Sequence, residues 1–129
     1  MKKHILCIDD EADIRAVLQE ILTIKGYRVS TAAEPEAAKV ILKEDPPQLI
    51  ILDFQIEEGD GFVLIEDIKR LAPNTPILLL TGAVFDRRAV RETIEKRVSR
   101  YLDKTASLST IVAEIERLLG DASTSSEHI

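Results

Sequence analysis

The sequence predicts an α/β protein: a doubly wound, five-stranded parallel sheet in the order 2-1-3-4-5, with five helices on its two faces. Three observations predict it. Short apolar runs alternate with stretches whose apolar residues recur at helical spacing. The interior runs are apolar at nearly every position, as strands covered on both faces are. Acids, a threonine and a lysine stand where the runs end. Strands alternating with helices imply right-handed crossovers, and in such sheets the working groups gather beyond the carboxyl ends of the strands, where strand order reverses.

The first strand is His4 to Ile8, and the helix after it carries Ile14, Val17, Leu18, Ile21 and Leu22 on one face. Gly26 stops that helix, Tyr27 to Thr31 reads as a second, weaker strand, and Pro35 opens a second helix that ends at Asp45-Pro46-Pro47. Leu49 to Phe54 is the central strand. Beyond a loop containing Glu57, Glu58, Gly59, Asp60 and Gly61, a third helix places Leu64, Ile65, Ile68 and Leu71 together. Ile77 to Leu80 makes the fourth strand, and a charged helix with a thin stripe of Ala89, Val90, Thr93 and Ile94 follows it. The fifth strand lies around Tyr101 and Leu102. The last helix, capped by Ser107 or Thr105, carries Leu108, Ile111, Val112, Ile115, Leu118 and Leu119 and stops at Gly120. Residues 1–120 are thus expected to form one domain, and 121–129 a polar tail or the start of a linker.

Composition narrows the function classes. A chain of 129 residues fits one domain, so an effector is expected to lie elsewhere. No apolar run approaches the roughly 20 residues of a membrane span, and no secretory signal opens the chain, which points to the cytoplasm. The formal charge of -6 argues against a nucleic-acid surface. Cys7, the single cysteine, sits among Ile5, Leu6 and Ile8 and reads as a small buried hydrophobe. His4 and His128 have no acid or cysteine at ligand spacing and read as incidental.

Asp9 and Asp10 close the first strand, Asp53 the third, Thr81 the fourth and Lys104 the fifth, so this topology brings all five to one pocket. Three carboxylates packed together raise their pKa values or recruit a cation. Magnesium suits them, because it prefers oxygen ligands, keeps several waters and takes one or two carboxylates plus a phosphate oxygen. Lys104 adds a fixed positive charge for a transferring phosphoryl group, and Thr81 a hydroxyl donor. Taken singly, each acid could equally be a helix cap, Thr81 a turn residue, Tyr101 a half-buried strand aromatic and Lys104 a surface lysine.

Asp9-Asp10-Glu11, Asp53 with Gly61 eight positions on, Thr81-Gly82-Ala83 and Tyr101-Leu102-Asp103-Lys104 together resemble the receiver domains of two-component response regulators, which share the flavodoxin-like fold. The resemblance runs from Ile5 to about Leu119. It implies that Asp53 accepts a phosphoryl group from a histidine kinase or histidine phosphotransfer protein. It implies a magnesium ion, replaceable by manganese, held by Asp10, by Asp9 directly or through water, by Asp53, and by the main-chain carbonyl of Gln55. Thr81 and Tyr101 would be the switch pair and Lys104 the cation on the phosphoryl group. The implied protein is a signalling switch that assists its own phosphorylation and dephosphorylation and acts on a downstream effector; a homodimer is left open.

Two places depart from the family's usual pattern. Ile56-Glu57 stands where Met-Pro is common, and Thr105 where proline follows the lysine. Without proline a cis bond costs about 2.5–4 kcal/mol, so the Lys104-Thr105 bond is expected to be trans. An aspartyl phosphohydrolase of the haloacid-dehalogenase kind is disfavoured, since Gln55 stands where its second aspartate would be. A degenerate receiver serving only as a binding module is disfavoured too, since the acids and the lysine are all present. Arg87, Arg88, Arg91, Lys96, Arg97 and Arg100 form a basic concentration that is either a solvated face or a partner surface.

Overall fold

A computed structural model describes residues 2–53, 60–81, 98–103 and 106–120. Its five strands are β1 His4–Ile8, β2 Arg28–Ala32, β3 Leu49–Asp53, β4 Ile77–Thr81 and β5 Arg100–Asp103, all parallel and ordered β2-β1-β3-β4-β5. The described helices are α1 Ala12–Ile24, α2 Pro35–Glu44, α3 Asp60–Leu71 and α4 Leu108–Leu118. Fold class and strand order agree with the sequence expectation. The charged segment from Arg87 to Arg97, Gln55, Lys104 and the Lys104-Thr105 bond lie outside the described residues.

Side chains alternate across the sheet with the strand period of two, which divides the core into two layers. Leu6, Ile8, Ile50, Leu52, Ile77 and Leu79 face α2 and α3, packed with Ala38, Leu42, Leu64, Ile65 and Ile68. Ile5, Cys7, Leu49, Ile51, Leu78 and Leu80 face α1 and α4, packed with Leu18, Leu22, Ile111, Val112 and Ile115. Every residue of β1 and β3 is buried, as their near-continuous apolar runs require. β2 is the edge strand beside β1 and is mostly half-exposed, which is why its sequence signal is weak.

Helix ends follow capping chemistry. Ser107 caps α4, its hydroxyl accepting from the Thr110 N–H at 3.2 Å. Gly26 and Gly120 take positive φ, 101° and 82°, just past the ends of α1 and α4. The Lys3 ammonium donates to the Leu119 carbonyl and places a cation at the negative end of α4.

The structure corrects three expectations. Tyr27 precedes β2 and is buried in the α1–α4 layer rather than lying in the strand. Val17 and Leu108, expected in the buried stripes of their helices, are 41% and 43% exposed. Both line an open apolar cleft between α1 and α4, beside Ile14, Leu80 and Ile111. On the other face, Lys39 of α2 pairs with Asp67 of α3 at 2.9 Å, and Arg70 reaches the same carboxylate at 2.8 Å.

Two stability predictions follow from this packing. Leu52→Ala should lower unfolding free energy by about 2–5 kcal/mol in urea titrations, because the fully buried side chain leaves a cavity; a loss under about 1 kcal/mol would contradict the packing. Hydrogen bonds from Lys39, then Arg70, hold the Asp67 carboxyl below the usual carboxylate range. A depressed carboxyl contributes stability above its unfolded pKa and loses it as pH falls through the folded value. Asp67→Asn should therefore lower the unfolding free energy from urea titration at neutral pH by about 1 kcal/mol or less, and the gap to wild type should close on acidification below the ordinary aspartate pKa.

Candidate functional site

Register brings the strand ends together. Ile8 pairs with Leu52, Asp53 with Leu80, and Thr81 with Asp103, so β1, β3, β4 and β5 finish within a residue or so of one another. Asp9 follows the last residue of β1 but remains tied to the sheet, its N–H donating to the Ala32 carbonyl at 3.0 Å. Its carboxylate Oδ1 accepts the Glu11 N–H at 2.8 Å, turning the chain into α1, and its main-chain carbonyl accepts from Arg15 Nη1 at 2.7 Å.

This turn gathers acids. Asp9, Asp10, Glu11 and Asp53 each present a carboxylate oxygen, and the four oxygens lie within 4.8 Å of one another. Asp9 and Asp53 are buried, at 2% and 1% exposure, while Asp10 and Glu11 are exposed. Two unit charges about 4 Å apart repel by about 4 kcal/mol at an effective dielectric of 20, so a cation is the natural complement. The donor set fits magnesium: hard oxygens at about 2.1 Å from an ion stand about 3 Å apart when adjacent and about 4.2 Å when opposite. Oxygens spread up to 4.8 Å suit direct ligation by some of the acids, with water reaching the rest.

Of the residues singled out from sequence, Asp9, Asp10 and Asp53 come together as expected. Thr81 ends β4, next to the strand that ends in Asp53. Tyr101 pairs with Leu79 and is half-buried against the layer facing α2 and α3. Gln55 and Lys104 lie outside the described residues. Glu11, which in sequence only completes the Asp9-Asp10-Glu11 run, joins the cluster. The available signal was its position: it is the N-cap of α1 and makes no side-chain cap hydrogen bond, as expected of a residue type poor at capping.

His4 also departs from expectation. It is buried at the other end of β1, with Nε2 at 2.7 Å from the Ser30 hydroxyl and Nδ1 at 3.8 Å from Asp45. Its acid partner is distant in sequence and was invisible to ligand spacing. Asp45 is held below the usual carboxylate range chiefly by its hydrogen bond from Arg28.

Comparison with known proteins places these features. Residues 5–116 match the family described as the response regulator receiver domain. A probable transcriptional regulator ycf27 of Porphyra purpurea is 40% identical over 120 residues, which are 92% of this chain and 48% of that protein. A putative NtrX-like response regulator of Rickettsia bellii is 31% identical over 115 residues, 88% of this chain and 24% of that protein. The chain thus spans about half the length, or less, of these relatives. Among solved structures, a CheY-like receiver domain protein of Methanospirillum hungatei shares the fold, with a TM-score of 0.84 at 22% identity over 97% of this chain and 99% of that one. NtrX of Brucella abortus aligns with a TM-score of 0.80 at 28% identity, over 98% of this chain and 28% of that one.

The charge cluster yields a direct test. Magnesium should raise the unfolding free energy of the unphosphorylated protein, measured by urea titration, by about 2.7 kcal/mol when it is present at 100 times its dissociation constant. The gain should shrink in Asp10→Asn, while potassium at equal ionic strength should not reproduce it. Equal stabilisation of wild type and Asp10→Asn would mean that the ion acts elsewhere.

Proposed function

The chain belongs to the response regulator receiver domain family, and we propose that it works as a phosphorylation switch in which Asp53 is the residue that accepts the phosphoryl group. Two-component signalling is the function of the family. The observation that carries the assignment to Asp53 is its place: a buried carboxylate ending the central strand, with Asp9, Asp10 and Glu11 beside it.

In this reading Asp10 and Asp53 would hold magnesium directly, Asp9 directly or through water, and the Gln55 carbonyl would add a further contact. When bound, magnesium, or manganese in its place, would offset charge on the transferring phosphoryl oxygens. An Asp53 carboxylate oxygen attacks phosphorus as the P–N bond to the donor histidine breaks, and the departing imidazole takes up a proton. Lys104 is assigned the fixed positive charge that steadies the phosphoryl group. Little covalent help is needed, because phosphoryl transfer rests on positioning and electrostatics. The same groups, presented to water, govern loss of the phosphoryl group, so the chain assists its own chemistry without turning over an external metabolite.

The partners are a histidine kinase or histidine phosphotransfer protein on the input side and an effector on the output side. Residues 1–120 form the receiver and 121–129 a tail or linker. Relatives about twice as long, among them those named transcriptional regulators, support an effector in the same polypeptide. A cytoplasmic site of action is assigned on family membership; among the described residues no helix is long and apolar enough to cross a membrane.

Switching is assigned to Thr81 and Tyr101. A phosphoryl group on Asp53 draws the Thr81 hydroxyl by a charge-assisted hydrogen bond, and Tyr101, on the neighbouring strand, moves inward behind it. The surface offered to the partner then changes.

Asp53→Asn should abolish acid-labile, magnesium-dependent phosphorylation by acetyl phosphate, since an amide cannot form the acyl phosphate. Full labelling of that variant would end the assignment. Thr81→Ala should still be phosphorylated yet fail to transmit. With beryllofluoride and magnesium, its amide shifts from Val84 to Lys104 should be much smaller than in wild type, and equal shifts would remove Thr81 from the relay.

A further inference from the structure

We propose that Arg15 is a positioning residue for the cation-binding turn, acting through the Asp9 carbonyl rather than by touching the ion. This rests on the reading of Asp9 and Asp10 as metal ligands.

Arg15 sits one turn into α1, its N–H donating to the Glu11 carbonyl at 3.1 Å, and its half-buried side chain reaches back toward the helix N-terminus. There Nη1 donates to the Asp9 main-chain oxygen at 2.7 Å. With Asp9 N–H held by Ala32 and Asp9 Oδ1 holding the Glu11 N–H, the contact pins the peptide plane that joins Asp9 to Asp10. Asp10 is the acid most in need of this. It is exposed, and among the described residues its side chain has no hydrogen bond or ion pair, so its placement comes from the backbone.

The choice of acceptor matters as well. A guanidinium next to four carboxylates could neutralise one of them, yet among the described residues its partner is a carbonyl. The carboxylates keep their charge for a divalent ion, while the strong, directional donor that arginine provides goes to the turn. Groups of this kind, one step behind the ligands, commonly govern metal affinity.

The test is magnesium binding by the unphosphorylated chain, followed by NMR amide shifts. Arg15→Met keeps the apolar stem and donates nothing, and should weaken the dissociation constant about tenfold. Arg15→Lys keeps one donor and should stay within about threefold of wild type. The phosphorylation rate of Arg15→Met from acetyl phosphate should return to within about twofold of wild type once magnesium saturates, a pattern that general misfolding does not produce. If circular dichroism shows Arg15→Met to be unfolded, Arg15→Gln, too short to reach the carbonyl, carries the same expectation. Wild-type affinity in the methionine or glutamine variant, or a lysine variant as weak as methionine, overturns the proposal. Failure of wild type itself to bind magnesium would instead defeat the reading of the site on which it rests.

Discussion

Repulsion among four carboxylates at one end of a parallel sheet is the constraint to which the rest of the molecule answers. Asp9 and Asp53 cannot relieve it by turning to water, because the apolar runs of β1 and β3 hold their ends inside the fold. Asp9 is fixed further by hydrogen bonds at its N–H, its carbonyl and Oδ1. A flexible loop with the same acids would let them splay apart. A rigid sheet end keeps the charge concentrated, and that concentration favours a divalent cation.

Rigidity also sets what a reaction at Asp53 can move. Asp53 pairs with Leu80 and Thr81 with Asp103, so the end of β3 is tied to β4, and the end of β4 to β5. Tyr101 lies two residues before Asp103, half-buried against the layer shared with α2 and α3, where a small displacement changes its exposure.

Much of this was legible in the sequence, for identifiable reasons. β1 and β3 were plain because a strand buried on both faces is apolar throughout, and the acid ending each run marked the site. The start of β2 was harder: an edge strand has little apolar signal, and Tyr27 reads as strand although it packs from the turn before it. Val17 and Leu108 keep helical spacing yet line an open cleft between α1 and α4, which periodicity alone does not locate. Glu11 and His4 needed three dimensions. Glu11 enters the cluster through the turn that Asp9 builds, and the partners of His4 come from β2 and the end of α2.

Membership of the receiver family and the geometry of the acid cluster meet in one claim: Asp53 is where the phosphoryl group goes. The most direct test is to react the protein with acetyl phosphate and magnesium, reduce the product with borohydride, which converts an aspartyl phosphate to homoserine, and locate the change by peptide mass spectrometry. The account predicts homoserine at position 53, dependent on magnesium, with Asp9 and Asp10 unchanged. Reduction at Asp9 or Asp10, or none at Asp53 in protein that has taken up phosphate, would contradict it.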